Sequence, residues 1–246
     1  MDETVIKDAI KFVKSHKNEI KQEFAGDDVC GSEKDPISIF MAGSPGAGKT
    51  EFSKRFLKKS GVSAVRIDAD EVREVIPQYN GRNSDLVQRA SALAVEYIYD
   101  HVLDKKKNMI FDATFADYEK SYNNVERSLR KGRHVEIYYL YQDPMVAWRF
   151  TKIREAVEGR FVPKEVFVRS FIDARKNVNM VKEKFGSKVQ LHVIVKNFNN
   201  NLETFRLNVS SVDGYINLSY TYESLMEKLG TLLGLSICPR VKKRRL

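Results

Sequence analysis

Short apolar runs and longer amphipathic stretches follow one another along most of the chain. The first 24 residues place Val5, Ile10, Val13 and Ile20 mostly on one face, with lysines between them, which predicts a helix. A polar, turn-rich connector follows at 25–36. Apolar runs then predict strands at 37–41, 64–67, 109–111, 135–141 and 191–195. Amphipathic periodicity predicts helices at 48–59, 84–106, 117–131, 144–157 and 163–184.

This alternation predicts the fold class. Strands separated by helices of this length pair in parallel, so we expect an α/β fold with a parallel sheet flanked by helices. Residues 202–220 differ, because apolar runs on both sides of Val212-Asp213-Gly214 predict a small C-terminal β-hairpin, with a last helix at 221–233. We therefore divide the chain into an N-terminal helical extension and connector (1–34), a core (35–200) and a C-terminal part (201–246).

Composition and charge exclude several classes of protein. Hydrophobic residues make up 42% and charged residues 30%, which is typical of a globular chain. No apolar run reaches the roughly 18 residues of a membrane span. The N-terminus lacks an apolar signal core, and Cys30 and Cys238 form no Cys-x-x-Cys pair, so we expect a cytoplasmic protein with no membrane association. The net charge of +9 includes a basic tail made of Arg240, Lys242, Lys243, Arg244 and Arg245. We expect this tail to be solvated, with nucleic-acid binding as the alternative.

One segment carries a strong signal for phosphate binding. It matches the pattern GxxxxGK[ST] at every fixed position and lies between a predicted strand and a predicted helix: Gly43, Ser44, Pro45, Gly46, Ala47, Gly48, Lys49 and Thr50. Glycines let backbone amides close around phosphate oxygens, and the helix N-terminus adds partial positive charge. Lys49 is expected on the β- and γ-phosphates and the Thr50 hydroxyl on Mg²⁺. The motif predicts a P-loop NTPase fold with ATP and Mg²⁺ as cofactors.

The region after the second predicted strand favours a kinase among P-loop proteins. The chain has no Asn-Lys pair, so the usual base-reading motif of GTPases is missing. Asp70 follows the strand and Arg73 lies three residues later, on the same face of a helix that starts near Asp70. A carboxylate at this edge of a sheet suits a base for an acceptor hydroxyl, and an arginine suits an anionic group of the acceptor. The alternative is that Asp70 caps the helix and Arg73 forms a surface ion pair.

The order of these motifs resembles the zeta-toxin group of P-loop kinases over roughly residues 35–200. GSPGAGKT is followed by IDADEVREVIPQY, by Glu96 in a long helix and by MIFDAT. The resemblance implies an ATP-dependent kinase acting on a hydroxyl of a UDP-N-acetylhexosamine, with an antitoxin protein as a candidate partner. It also implies Asp70 as the catalytic base and Glu96, Thr114 and Arg73 as substrate-binding residues. The family has an arginine where this chain has Ala116.

Asp112 and two arginines complete the candidate site. Asp112 stands where the family has Glu and is expected to hold Mg²⁺ through water or to bind acceptor hydroxyls; the alternative is a helix cap. Arg154 and Arg160 resemble the family's two γ-phosphate arginines, and Gly159 and Pro163 bracket a candidate lid. A basic helix face is the alternative for the arginines. Lys196-Asn197 follows the fifth strand, where backbone groups would meet adenine.

Two other functions stay open at this point. A polynucleotide 5′-kinase or another small-molecule phosphotransferase would share the same phosphate loop and Asp-x-x-Arg element. A protein without enzymatic activity would use the nucleotide to control binding of RNA or of another protein, with the basic tail as the contact surface. The N-terminal helix is expected to pack on the sheet, with a built-in regulator as the alternative.

Overall fold

The computed structural model describes residues 2–159, 161–197 and 202–232. Arg160, the basic tail from Arg240 to Arg245 and Cys238 lie outside these ranges. The described elements are, in chain order, α1 (Asp2–Ser15), α2 (Lys17–Ala25), β1 (Ile37–Ala42), α3 (Lys49–Ser60), β2 (Val65–Asp68), α4 (Ala69–Glu74), α5 (Ser84–Asp104), β3 (Met109–Asp112), α6 (Tyr118–Arg130), β4 (His134–Tyr141), α7 (Pro144–Glu158), α8 (Lys164–Phe185), β5 (Val189–Asn197), β6 (Leu202–Arg206) and α9 (Tyr222–Leu232).

The sheet has six strands in the order β2-β3-β1-β4-β5-β6. The first five in this order run parallel, and β6 pairs with β5 in the antiparallel sense. The predicted α/β fold with a parallel sheet flanked by helices is therefore confirmed. Because the chain turns from β1 towards β2 and β3 on one side and continues with β4 and β5 on the other, the strand order reverses at β1.

Side chains of β1 point alternately into two cores, one on each face of the sheet. Phe40 and Ala42 belong to the larger core, which is shared with α5 and α8. Ile39 and Met41 belong to a smaller core that Phe52 of α3 completes. A parallel strand covered by helices on both faces buries both sets of side chains, which explains why β1 is a continuous apolar run.

The N-terminal residues form two helices that pack on α5, and their buried side chains belong to the larger core. The helix predicted over 1–24 is interrupted at His16, where the Ser15 hydroxyl donates to the carbonyls of Lys11 and Phe12 at 3.0 Å. A serine that satisfies carbonyls of the preceding turn competes with continuation of the helix. The segment was expected to pack on the sheet, but its two helices pack mainly on α5, and α2 also contacts the edge strand β2.

The C-terminal hairpin lies earlier in the chain than predicted. The prediction paired runs on both sides of Val212-Asp213-Gly214, but Asp213–Tyr215 is a short 3₁₀ turn without flanking strands. Val209 and Val212 are instead buried, with their amides bound to the Leu191 carbonyl and to Asn179 Oδ1. These residues dock on β5 and α8 rather than on each other, and the antiparallel pair is β5 with β6. The predicted last helix is present as α9.

No helix in the described ranges combines the length and the apolar character that crossing a membrane requires.

Candidate active site

A cavity of about 720 Å³ opens where the strand order reverses, at the carboxyl ends of the parallel strands. This is the position where open α/β sheets bind their ligands. The loop between β1 and α3 forms one wall, and residues from α4, α5, β3, α6, α7, α8 and β5 form the others. The volume lies within the usual range for small-molecule sites, about 300–1,000 Å³.

The phosphate loop has a backbone that its glycines make possible. Gly43 and Gly46 have φ angles of 133° and 72°, which L side chains rarely adopt. A Cβ on Gly43 would lie 2.4 Å from the Leu140 carbonyl oxygen, and one on Gly46 would lie 2.1 Å from that of Ala147. The loop is tied to the β3 side by a hydrogen bond from the Gly43 amide to the Thr114 carbonyl, at 3.0 Å. The loop is therefore packed between β4, α7 and the β3 end.

Lys49 begins α3 and its side chain folds back over the loop. Its ammonium group donates to the carbonyls of Gly43 and Ser44, at 2.9 and 2.8 Å, and the residue is buried. Lys49 and Thr50 both line the cavity, together with Pro45, Gly46, Ala47 and Gly48. Gly43 and Ser44 form the base of the loop and supply the carbonyls that hold the Lys49 ammonium group.

Asp112 ends β3 beside Asp68, which ends β2, because the parallel register pairs these two residues. Burial raises the pKa of Asp112, while Lys49 and a hydrogen bond from the Thr50 hydroxyl act in the opposite direction. Arg66 Nη1 contacts both carboxylates, at 2.9 Å from Asp68 and 3.1 Å from Asp112. Two carboxylates and a threonine hydroxyl at one edge are oxygen ligands of the kind that Mg²⁺ prefers, so the donor set fits this ion.

Asp70 and Arg73 form an ion pair at the cavity wall. Arg73 Nη1 donates to Asp70 Oδ1 at 2.9 Å, and Nη2 donates to Gln88 Oε1 of α5 at 3.0 Å. Arg73 is only 6% exposed, so this pair is not a surface contact. The helix cap is Asp68, whose carboxylate accepts from the Asp70 amide at 2.9 Å. Both alternative interpretations of Asp70 and Arg73 are therefore contradicted by the geometry.

The structure brings most of the predicted site residues to one cavity. Asp70, Arg73, Asp112, Thr114 and Arg154 line it with the phosphate loop. Glu96 is not among the lining residues, because its carboxylate accepts from Arg127 Nη1 of α6 at 2.9 Å. Arg160 lies outside the described residues.

The cavity also contains residues that the sequence did not single out. On the acceptor side, around Asp70, these residues are Gln88, Lys120, Ser121 and Asn124. Glu203 lies on the opposite side, near Lys196. The polar residues on α5 and α6 belong to no motif, so no spacing in the sequence could have separated them from other surface residues. Arg66 lies between Val65 and Ile67 in the sequence of β2, so no local pattern indicates that its side chain contacts two acids.

A phosphate loop at the switch point of a parallel sheet, with an Asp–Arg pair and paired carboxylates in the same cavity, defines a P-loop phosphotransferase. The family model for zeta toxins matches residues 21–209, and the chain belongs to this family of P-loop kinases.

Comparison with solved structures gives the same fold. A structure from the PezAT chromosomal toxin–antitoxin system of Streptococcus pneumoniae is 17% identical, with a TM-score of 0.60, over 90% of this chain and 86% of that chain. The AvrRxo1-ORF1:AvrRxo1-ORF2 complex with ATP is 14% identical, with a TM-score of 0.58, over 89% of this chain and 74% of that chain. Comparison with curated protein sequences gives no significant match.

Proposed function

We propose that this kinase uses ATP and Mg²⁺ and transfers the γ-phosphoryl group to a hydroxyl of a UDP-N-acetylhexosamine. The observation that carries the proposal is a single cavity with the phosphate loop at one side and Asp70, held by Arg73, at the other. Family membership supports a phosphoryl donor and a hydroxyl acceptor of this kind. The ATP-bound AvrRxo1-ORF1:AvrRxo1-ORF2 complex, which has a similar fold, supports ATP as the donor.

On the donor side, the phosphate loop supplies backbone amides, and Lys49 supplies the cation for the β- and γ-phosphates. Lys49 would exchange its two carbonyl partners, Gly43 and Ser44, for phosphate oxygens. Thr50 and Asp112 would hold Mg²⁺, which neutralises charge on the phosphates when bound. Arg154 of α7 lines the same cavity and would stabilise negative charge on the transferred group, the role that the sequence also predicts for Arg160.

On the acceptor side, Asp70 would accept the proton of the attacking hydroxyl. The hydroxyl oxygen forms a bond to the γ-phosphorus while the bond from that phosphorus to the β,γ-bridging oxygen breaks, leaving ADP. Arg73 is already bound to Asp70 and Gln88, so its main effect is to orient the Asp70 carboxylate. Holding a base in one direction lowers the entropic cost of reaching the transition state.

The remaining acceptor-side wall suits a sugar attached to a diphosphate. Gln88, Thr114, Ser121 and Asn124 offer hydrogen-bonding groups for sugar hydroxyls, and Lys120 offers a cation for the diphosphate. Lys120 would supply the positive charge that Ala116 cannot provide, since both residues line this wall. A 5′-kinase acting on long nucleic acid would need several cations and stacking aromatic rings along an open groove. The proposal does not include Glu96, because Arg127 holds it away from the cavity.

The experiment that tests this proposal is ATP turnover against a panel of UDP-sugars and 5′-hydroxyl oligonucleotides, with the mass of each product measured. We expect a phosphorylated UDP-N-acetylhexosamine and no phosphorylated oligonucleotide. The Lys49→Ala variant serves as the background control. Phosphorylated oligonucleotide without phosphorylated UDP-sugar would replace the proposal with the 5′-kinase, and no acceptor-dependent turnover would favour the nucleotide-dependent binding protein.

Family membership also supports a protein antitoxin as the partner of this chain, as the name of the PezAT system implies for that system. If the kinase activity is toxic, expression of the wild-type chain in a bacterial host should slow growth, and expression of Lys49→Ala at the same level should not. Equal growth of the two strains would argue against a toxin that needs an antitoxin.

A further inference from the structure

The C-terminal end of β5 carries a second lysine, Lys196, which contacts the phosphate loop. Lys196 Nζ lies 3.3 Å from the Gly48 carbonyl oxygen, and Lys196 lines the same cavity as Lys49 and Thr50. The contact is close enough that a Cβ on Gly48 would lie 2.3 Å from that Nζ atom. The Lys196 side chain is 19% exposed, so it is held against the protein while its ammonium group reaches the cavity.

The antiparallel strand β6 fixes the position of this lysine. The register pairs Lys196 with Glu203, and directly opposite residues of an antiparallel pair project from the same face. The Lys196 ammonium group lies 3.7 Å from Glu203 Oε1. Glu203 Oε2 accepts from the Arg55 guanidinium of α3. Glu203 therefore connects the lysine to the helix that begins at the phosphate loop, and the lysine cannot easily move away from Gly48.

The location determines which phosphates this cation can reach. The amides of a phosphate loop hold the α- and β-phosphates, and the loop lysine reaches the β- and γ-phosphates. A cation at Gly48, on the side of the loop that faces β5, is therefore expected to lie beside the α- and β-phosphates. The Lys196 ammonium group has a neutral partner, the Gly48 carbonyl at 3.3 Å, and a charged partner, the Glu203 carboxylate at 3.7 Å. Both distances are long for a strong hydrogen bond or ion pair. An arriving phosphate oxygen offers the ammonium group a charge-assisted hydrogen bond in place of the carbonyl.

We propose that Lys196 is a nucleotide-binding residue that contacts the α- or β-phosphate of the donor, and that Glu203 holds it there and moderates its charge. This inference rests on the proposed use of ATP. A contact with the α-phosphate separates nucleotide affinity from catalysis, because the charge on this phosphate is the same before and after transfer. A contact with the β-phosphate would also stabilise the negative charge that the leaving group gains. Lys196 then contributes to binding of ATP and ADP alike, whereas Lys49 and Arg154 act on the transferred group.

The test is ADP and ATP binding by calorimetry, with steady-state kinetics, for Lys196→Ala and Glu203→Gln. Loss of one charge-assisted hydrogen bond predicts that Lys196→Ala weakens both ADP and ATP binding by about 10- to 100-fold. The kcat at saturating ATP distinguishes the two contacts, because loss of an α-phosphate contact leaves it close to that of the wild type and loss of a β-phosphate contact lowers it. Glu203→Gln keeps an oxygen that can hold Lys196 but removes the competing negative charge, so it should tighten ADP binding by about threefold. Lys196→Arg should retain most of the affinity.

Lys59→Ala is the matched control, since Lys59 is an exposed lysine of α3 outside the cavity lining. Thermal unfolding of each variant checks that the fold is intact. Simple loosening of the β5–β6 pair would weaken ADP binding in both Lys196→Ala and Glu203→Gln. Such parallel weakening would overturn the inference, as would unchanged ADP affinity in Lys196→Ala or a selective loss of ATP binding. Failure of the wild type to bind ADP would instead overturn the proposed donor, and the inference with it.

Discussion

Arg66 is the residue that makes the acidic edge of the cavity possible. It lies in β2 and pairs with Asp68, with Glu71 and with Asp112 of the neighbouring strand. The side chains of Arg66, Asp68 and Asp112 are at most 9% exposed. Carboxylates removed from water in this way need a cation nearby, since burial disfavours their charged form. Arg66 therefore keeps two potential Mg²⁺ ligands close together in a folded protein.

Arg66→Met should lower the free energy of unfolding by about 3–5 kcal/mol, because removing one partner leaves buried charge uncompensated. Urea unfolding of the purified variant measures this loss. Arg55→Met is the matched control, since the Arg55 side chain is 44% exposed in its pair with Glu203 and should cost at most about 1 kcal/mol. Adding Asp112→Asn to Arg66→Met should recover part of the stability. Equal stability of the two single variants would contradict this account.

Asp70→Asn should reduce turnover by about two to four orders of magnitude, because an amide cannot accept the proton of the acceptor hydroxyl. ATP affinity should remain close to that of the wild type, since Asp70 pairs with Arg73 on the acceptor side. Calorimetry with ATP and initial-rate kinetics with the best acceptor measure the two quantities. Loss of ATP binding with intact chemistry would move Asp70 to the metal site instead.

At the scale of elements, α7 depends on a polar cap that also connects it to the C-terminal part. Asp143 Oδ1 accepts from the Met145 amide at 2.9 Å, and its Oδ2 accepts from the Tyr220 hydroxyl at 2.9 Å. Burial and this hydrogen bond raise the pKa of Tyr220 to about 12, so its hydroxyl stays protonated and donates over the whole physiological range. Pro144 at the first position suits the start of the helix. Arg154 lies on this helix, so the cap helps to place it.

Asp143→Ala should lower the free energy of unfolding by about 0.5–2 kcal/mol through loss of the cap. Tyr220→Phe, which removes only the second hydrogen bond, should cost no more than about 1.5 kcal/mol. Thermal unfolding of both variants checks the order of these effects. A larger loss for Tyr220→Phe than for Asp143→Ala would mean that the contact with Tyr220, and not the cap, stabilises this region.

At the scale of the whole molecule, α1 and α2 are part of the core and not a separate attachment. Ala9, Val13, Ile20 and Ala25 are at most 2% exposed and belong to the same apolar cluster as α5. Since α5 carries Gln88 and the apolar wall of the cavity, the N-terminal helices support the acceptor side from behind. Displacing them would expose core side chains to water.

Ile20→Ala should therefore lower the free energy of unfolding by about 2–5 kcal/mol, the usual cost of truncating a buried isoleucine. Lys11→Ala, at an exposed position of α1, should stay within about 0.5 kcal/mol of the wild type. Urea unfolding with a global probe such as Trp148 fluorescence measures both. If Ile20→Ala matched the wild type in stability but changed its kcat, the N-terminal segment would be a regulator rather than a support.

The sequence by itself determined the features that depend on neighbouring residues. Apolar runs gave the parallel strands, and helical periodicity gave the positions of α3 and α5–α8, because burial imposes these patterns locally. The phosphate loop was also predictable, since its glycines, Lys49 and Thr50 are adjacent in the chain and their geometry follows from the backbone. The shared face of Asp70 and Arg73 was also predictable, because a spacing of three residues brings two side chains to the same side of a helix. Their ion pair was not predicted, since Arg73 was expected to bind an anionic group of the acceptor.

Only the tertiary structure decided which distant side chains meet. Glu96 was expected at the cavity, but its direction depends on Arg127, 31 residues away. The described residues around Val212-Asp213-Gly214 do not form the predicted hairpin, because Val209 and Val212 are buried with their amides bound to β5 and α8; the antiparallel pair is β5 with β6. Lys196 and Gly48 are 148 residues apart, and only the sheet order brings them into contact. Contacts of this kind are set by how whole elements pack, which no local pattern in the sequence encodes.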